Sequence, residues 1–229
     1  MLAYARISFL LLGIFASGLL FAANPQVEFE TSRGNFVVEL FPDRAPRTVE
    51  NFLQYVNSNF YNGTVFHRAI PRFVVQGGGL TEDLKPRETL APIPNESTNG
   101  LSNDIGTLAM ARGYGTDSAT SQFFVNMEDN RFLNHYRREP GLEGYTVFGR
   151  VIRGFDVLQG ISNSQTASVG KLDHVPNELV VVRFARELQH LVVAENITRP
   201  PPVEKTDAPP LDKPLRKGKK RGKTENKPR

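Results

Sequence analysis

The chain has no cysteine and no tryptophan among its 229 residues, and only three methionines. Without cysteine there is no disulfide scaffold, no thiol nucleophile, no thiolate-ligated zinc and no lipid-bearing cysteine near the N-terminus. Histidine is scarce as well. His67, His135, His174 and His190 have no metal-ligand spacing, and no HExxH motif occurs. Gly77-Gly78-Gly79 follows an apolar run but lacks the spacing of a dinucleotide loop and has no helical pattern after it. There is no G-x-S-x-G elbow for acyl transfer. These absences point to a protein that uses no metal and no cofactor.

What is there begins with a core. Hydrophobic residues make up 39% and aromatics 10%, enough for one domain of ordinary size with extensions. The formal net charge of +4 is unevenly spread. Residues 211–229 hold nine of the 28 Lys and Arg but only two of the 24 acids, so the first 210 residues are mildly acidic. At the N-terminus a single charge, Arg6, precedes Ile7–Ala23, which is apolar apart from two serines and two glycines. This is the pattern of an export signal over 1–23. As a helix the run would span about 25 Å, short of the roughly 30 Å hydrocarbon core, so cleavage is favoured over an uncleaved anchor. A periplasmic or secreted location is the corresponding expectation. At the other end, 191–229 is expected to be a disordered tail, proline-rich and then Lys/Arg-rich, with no apolar periodicity after Arg199. Its basic cluster at 211–229 suits an anionic surface: acidic lipid, cell-wall polymer or nucleic acid. A solubilising tail is the alternative.

The body between these ends reads as strands with two helices. Val27–Thr31 and Phe36–Leu40 alternate around a turn at Ser32–Asn35. Val49, Phe52, Leu53 and Val56 form one apolar face of a helix that Pro46 begins, with Glu50 in its first turns. Short apolar runs at Val65–His67, Arg72–Gln76, Thr107–Ala111, Gln122–Asn126 and Val147–Val151 read as further strands. A second helix is expected over Phe155–Ile161 and a last strand over Leu179–Phe184. Seven or eight short strands with two helices predict a mainly β, antiparallel barrel. The stretch 77–106 is rich in Gly, Pro and Asn, and its length marks it as a functional loop.

Three segments carry a more specific signal: Phe66-His67-Arg68-Ala69-Ile70-Pro71-Arg72-Phe73-Val74-Val75-Gln76-Gly77-Gly78, then Ala109–Arg112, then Ser118–Asn126 with its Ser-Gln-Phe-Phe core. Phe132-Leu133-Asn134 and Gly144–Gly149 extend the pattern. Together they resemble the signature blocks of the cyclophilin family of peptidyl-prolyl cis–trans isomerases over about 24–190. The resemblance implies a closed eight-stranded antiparallel barrel capped by two helices, acting on proline-containing polypeptides; a monomer is the default for a small barrel with no exposed apolar helix. It also accounts for the empty search for reactive groups, because rotation about a peptide bond makes and breaks no covalent bond.

By the same resemblance, Arg68 and Gln76 are the catalytic residues: Arg68 donates toward the prolyl nitrogen and carbonyl, and Gln76 helps hold it. Phe73, Val74, Phe124 and Leu133 line the pocket for the proline ring, Ala111 and Gln122 lie along the groove, and Arg112, Phe132 and Tyr145 complete the substrate-binding set. Phe132 stands where many eukaryotic relatives have Trp, and Tyr145 where they have His. These departures, with the longer Asn134–Gly144 loop, resemble the bacterial extracytoplasmic subgroup. A non-catalytic proline-binding or chaperone module on the same barrel, localised by the basic tail, is the rival reading.

Overall fold

The computed structural model describes residues 23–136 and 143–188. All of these fall in one compact unit, Met1–Leu191. The expected export signal up to Ala22 and the expected tail over 191–229 lie outside the described residues, as does the 137–142 part of the long loop.

The first two strands show how alternation becomes a barrel wall. β1 (Gln26–Thr31) and β2 (Gly34–Leu40) pair antiparallel, with Val27 opposite Val38 and Phe29 opposite Phe36. The Phe29 and Phe36 rings stack at 4.9 Å between centroids, both fully buried. The turn is tighter than expected, because Gly34 already belongs to β2. Thr31 Oγ1 donates to the Gly34 carbonyl (2.7 Å) and accepts from the Arg33 N–H (3.1 Å), and Gly34 takes φ +125, which favours glycine.

α1 (Pro46–Asn57) follows, then β3 (Thr64–Ile70), β4 (Val74–Thr81), β5 (Thr107–Met110), β6 (Phe123–Asn126), β7 (Val147–Arg153) and α2 (Phe155–Ser162). A small hairpin of β8 (Thr166–Val169) and β9 (Leu172–Pro176) precedes β10 (Val180–Leu188). Eight strands close into an antiparallel barrel in the order β1-β10-β3-β4-β6-β5-β7-β2, as expected, and β8–β9 stands apart as its own ribbon. The barrel interior is aromatic. Phe123 meets Phe52, Tyr61 and Phe66 edge-on at 5.5 to 6.0 Å, a geometry worth about 0.5–1.5 kcal/mol per pair beyond burial.

α1 buries Val49, Phe52, Tyr55 and Val56 against this core, while Leu53 is only partly buried. Its first turn contains no acid; Glu50 lies too far in. The orphan N–H groups are instead met by Glu96, which accepts from Arg47 N (3.2 Å), Thr48 N (2.9 Å) and Thr48 Oγ1 (2.7 Å). The stretch expected as one long functional loop therefore divides. Its first residues continue β4 through Gly77–Gly79 to Thr81, and the remainder straps the barrel to the helix N-terminus. Strand continuation depends on the missing side chains: a Cβ at Gly77 would sit 2.8 Å from Phe66 Cδ1 and 3.0 Å from the Val65 carbonyl oxygen. The β8–β9 hairpin was not expected from sequence. Its strands are short and mostly exposed, so they carry no apolar alternation.

Candidate active site

Strand alternation gives the barrel two apolar faces. On β4 and β6, Val75, Phe123 and Val125 point inward, while Val74 and Phe124 point outward. The outward set joins Ala109 and Val147 in a second cluster, with Phe73, Leu101, Ala111, Leu133 and Tyr145 packed on its margin. This cluster floors an open groove of about 590 Å³. The groove is lined by Arg68, Phe73, Val74, Gln76, Ala111, Arg112, Gln122, Phe124, Leu133 and Tyr145. Ten of the eleven residues expected at the site are thus brought together.

The eleventh, Phe132, is not in the lining. It lies in the 3₁₀ turn Arg131–Leu133, is 67% exposed, and stacks on Phe73 at 5.8 Å and 18°. It reaches the groove through this contact with a lining residue.

Polar groups cross the groove in a row. Arg68 on β3 is opposite Gln76 on β4, and Arg68 Nη1 donates to Gln76 Oε1 at 3.4 Å. Gln76 Nε2 in turn donates to Gln122 Oε1 at 3.0 Å. The Gln122 carbonyl accepts from Ala111 N at 3.0 Å, which joins the row to the end of β5. The guanidinium lies 5.6 Å from the Phe73 ring centroid. Among the described residues no carboxylate pairs with Arg68. It is therefore not a framework charge held by an acid. It is held by a neutral amide and an aromatic face, with donors left for a ligand. Gln122 lies flat over β4 because residue 79 is glycine; a Cβ there would come within 2.3 Å of Gln122 Cγ.

At one end of the groove, Arg112 reaches back to the Glu143 carbonyl and sits 5.0 Å from the Tyr145 ring centroid. Tyr145 meets Phe124 edge-on at 5.6 Å. At the other end, beside β3, the wall is formed by residues that sequence reasoning missed: Lys171, Leu172, Asp173 and His174 of the β8–β9 hairpin. A usable signal existed in Val169-Gly170-Lys171-Leu172, where glycine at the first position of a two-residue turn marks a hairpin. His67 also lines the groove. It is 5% exposed, and its Nδ1 has no hydrogen-bond partner. Burial pushes its pKa down to about 4; a Val65 backbone hydrogen bond opposes this and the Arg68 charge adds to it.

An eight-stranded antiparallel barrel that carries an arginine over an apolar surface groove defines a class of barrel proteins able to seat an apolar group beside a cationic donor. The family model for cyclophilin type peptidyl-prolyl cis-trans isomerases matches residues 26–186. A peptidyl-prolyl cis-trans isomerase of Acinetobacter baylyi is 49% identical over 173 residues, 74% of this chain and 90% of the relative. Peptidyl-prolyl cis-trans isomerase A of Dickeya dadantii is 46% identical, covering 80% and 94%. Peptidyl-prolyl cis-trans isomerase B of Escherichia coli is also 46% identical, covering 68% and 95%. A solved cyclophilin type isomerase of Cryptosporidium parvum, in a structure obtained in the presence of the dipeptide Ala-Pro, superposes with a TM-score of 0.56 at 26% identity, covering 72% of this chain and 99% of that one. The chain belongs to the cyclophilin-type peptidyl-prolyl cis–trans isomerase family, and its activity is isomerisation of X-Pro peptide bonds.

Proposed function

We propose that Arg68 drives this isomerisation by stabilising the twisted X-Pro bond, on clients that reach the protein outside the cytoplasm. The observation that carries the reading is the guanidinium, without an acidic partner among the described residues, held by Gln76 above a groove floored by Phe73, Val74, Phe124 and Leu133.

Resonance gives a peptide C–N bond a rotational barrier of about 18–20 kcal/mol, and prolyl bonds exchange in tens to hundreds of seconds. As the bond twists, resonance is lost and the prolyl nitrogen pyramidalises, gaining a lone pair that accepts a hydrogen bond. A permanently charged donor binds that twisted state better than either planar isomer. Each ~1.4 kcal/mol of this preference is worth tenfold in rate. The apolar floor fixes the ring, so that rotation moves the residue before proline. Gln76, itself oriented by Gln122, keeps the guanidinium aimed and offers its amide to the substrate. Arg112, Ala111 and Gln122 bind the chain preceding proline, and Phe132 contributes by stacking on Phe73. The Ala-Pro dipeptide used with the structural relative supports proline-containing peptides as substrate.

The exported setting is supported by the apolar run Ile7–Ala23 behind Arg6, and places the protein in the periplasm or among secreted proteins. The basic segment 211–229 then holds it to an anionic surface, and the enzyme works as a monomer. The test of the catalytic role is Arg68→Ala in a peptide isomerisation assay. A fall in kcat/KM of at least a hundredfold is expected. A value within threefold of wild type would mean that the groove binds proline without Arg68 catalysing its rotation.

A further inference from the structure

Two walls of the groove are not on strands. Phe73 ends the turn between β3 and β4, and Leu133 closes the 3₁₀ turn after β6. A ring pocket works only if the distance between such walls is fixed, and turns do not fix themselves.

Beneath both turns runs a chain of asparagine side chains that takes no part in the mechanism above. Asn130 is 3% exposed, and its Nδ2 donates to the Phe73 carbonyl and to Asn126 Oδ1, each at 2.8 Å. Its own carbonyl accepts from Leu133 N at 2.8 Å. One residue thus holds both walls, one by its side chain and the other by its backbone. Asn126, fully buried, passes the contact on: its Nδ2 donates to Asn103 Oδ1 (3.1 Å) and Thr107 Oγ1 (2.9 Å). Asn103, also fully buried, donates through N and Nδ2 to Asn134 Oδ1 at 2.7 and 3.0 Å. The chain thereby returns to the segment that follows Leu133.

A primary amide offers two N–H donors and a separate acceptor oxygen from one short side chain, so asparagine suits every link of this relay. Buried amides cannot exchange these partners for water without loss, which makes the network all-or-none and fixes a single arrangement.

We propose that Asn130, supported by Asn126 and Asn103, is a positioning residue for the isomerase: it sets the spacing between Phe73 and Leu133 and thereby the affinity for the proline ring. The proposal rests on the groove being the proline site. It assigns Asn130 to substrate affinity, as distinct from the rate effect assigned to Arg68.

The test compares the full chain as wild type, Asn130→Asp, Asn134→Ala and Val27→Ala, with kcat and KM measured on an uncharged X-Pro peptide below every melting temperature. Asn130→Asp keeps the volume but loses both donated bonds. It is expected to raise KM about tenfold with kcat within about threefold, a loss of about 1.4 kcal/mol in binding. Asn134→Ala, at the half-buried end of the relay, supplies the reading if Asn130→Asp does not fold; its KM should rise about threefold. Val27→Ala removes buried volume from β1, away from the groove, and should lower Tm with KM unchanged. A KM within 1.5-fold of wild type in the relay variants that fold, with only Tm reduced as in Val27→Ala, would overturn the proposal. Arg68→Ala reads out on kcat, so failure of the catalytic reading is separable from failure of this one.

Discussion

Arg68 and His67 are chain neighbours with opposite electrostatic solutions. Arg68 stays charged at the groove surface, while His67 is buried and held neutral, its pKa pushed down to about 4. The unfolded chain, with an ordinary histidine near 6.5, takes up a proton first as pH falls. His67 therefore costs stability progressively as pH falls from about 6.5 to about 4, and contributes no such loss above 6.5. Between pH 7.5 and pH 5 the loss from this one group should be about 2 kcal/mol. Urea unfolding at the two pH values, on wild type and His67→Gln, measures it: the variant should show a loss smaller by about that amount. Equal pH dependence in both proteins would remove the assignment. At this scale the sequence carried most of the site, because Arg68, Phe73, Gln76, Gln122 and Phe124 lie within short blocks whose residue types are distinctive. It did not carry Asn103, Asn126, Asn130 and Asn134. Each alone is an ordinary polar residue, and only the fold brings 103 beside 126 and 134.

At the scale of elements, legibility followed burial. β1, β2 and α1 declare themselves because one face of each is in the core, and Leu53 shows where that pattern overreaches. The β8–β9 hairpin buries little and was missed, although it supplies a wall of the groove. The acid near the start of α1 was read as Glu50, whereas the N–H groups are met by Glu96, 48 residues beyond Thr48, a long-range contact that local pattern does not contain. Gly77–Gly79 was read as the start of a loop because glycine usually interrupts strands, whereas here it lets β4 pass close beneath other groups. Gly79→Ala tests this. The new Cβ would displace Gln122 and break its 3.0 Å bond with Gln76, so kcat/KM should fall about three- to tenfold, one hydrogen bond's worth, with Tm nearly unchanged. Unchanged activity would show that the Gln76–Gln122 contact does not orient the site.

Across the whole molecule, charge and chemistry are segregated. The first 210 residues are mildly acidic and include the groove, whereas 211–229 concentrates nine cations. If that segment holds the protein to an anionic surface, the full chain should bind vesicles containing acidic lipid and lose affinity steeply as salt rises, while a chain ending at residue 198 should not bind. Binding that is insensitive to salt would remove the electrostatic account. The absence of cysteine and metal-ligand spacing, which opened the sequence to few chemistries, is consistent at this scale with a reaction that needs only a shaped surface and one aimed cation. The most direct measurement of that claim is exchange NMR on an Ala-Pro peptide at equilibrium, with wild type and Arg68→Ala, because it reads binding and isomerisation separately. Wild type should give both resonance shifts and cis–trans exchange cross-peaks; Arg68→Ala should retain the shifts and lose the cross-peaks. Undiminished cross-peaks from Arg68→Ala would contradict the account.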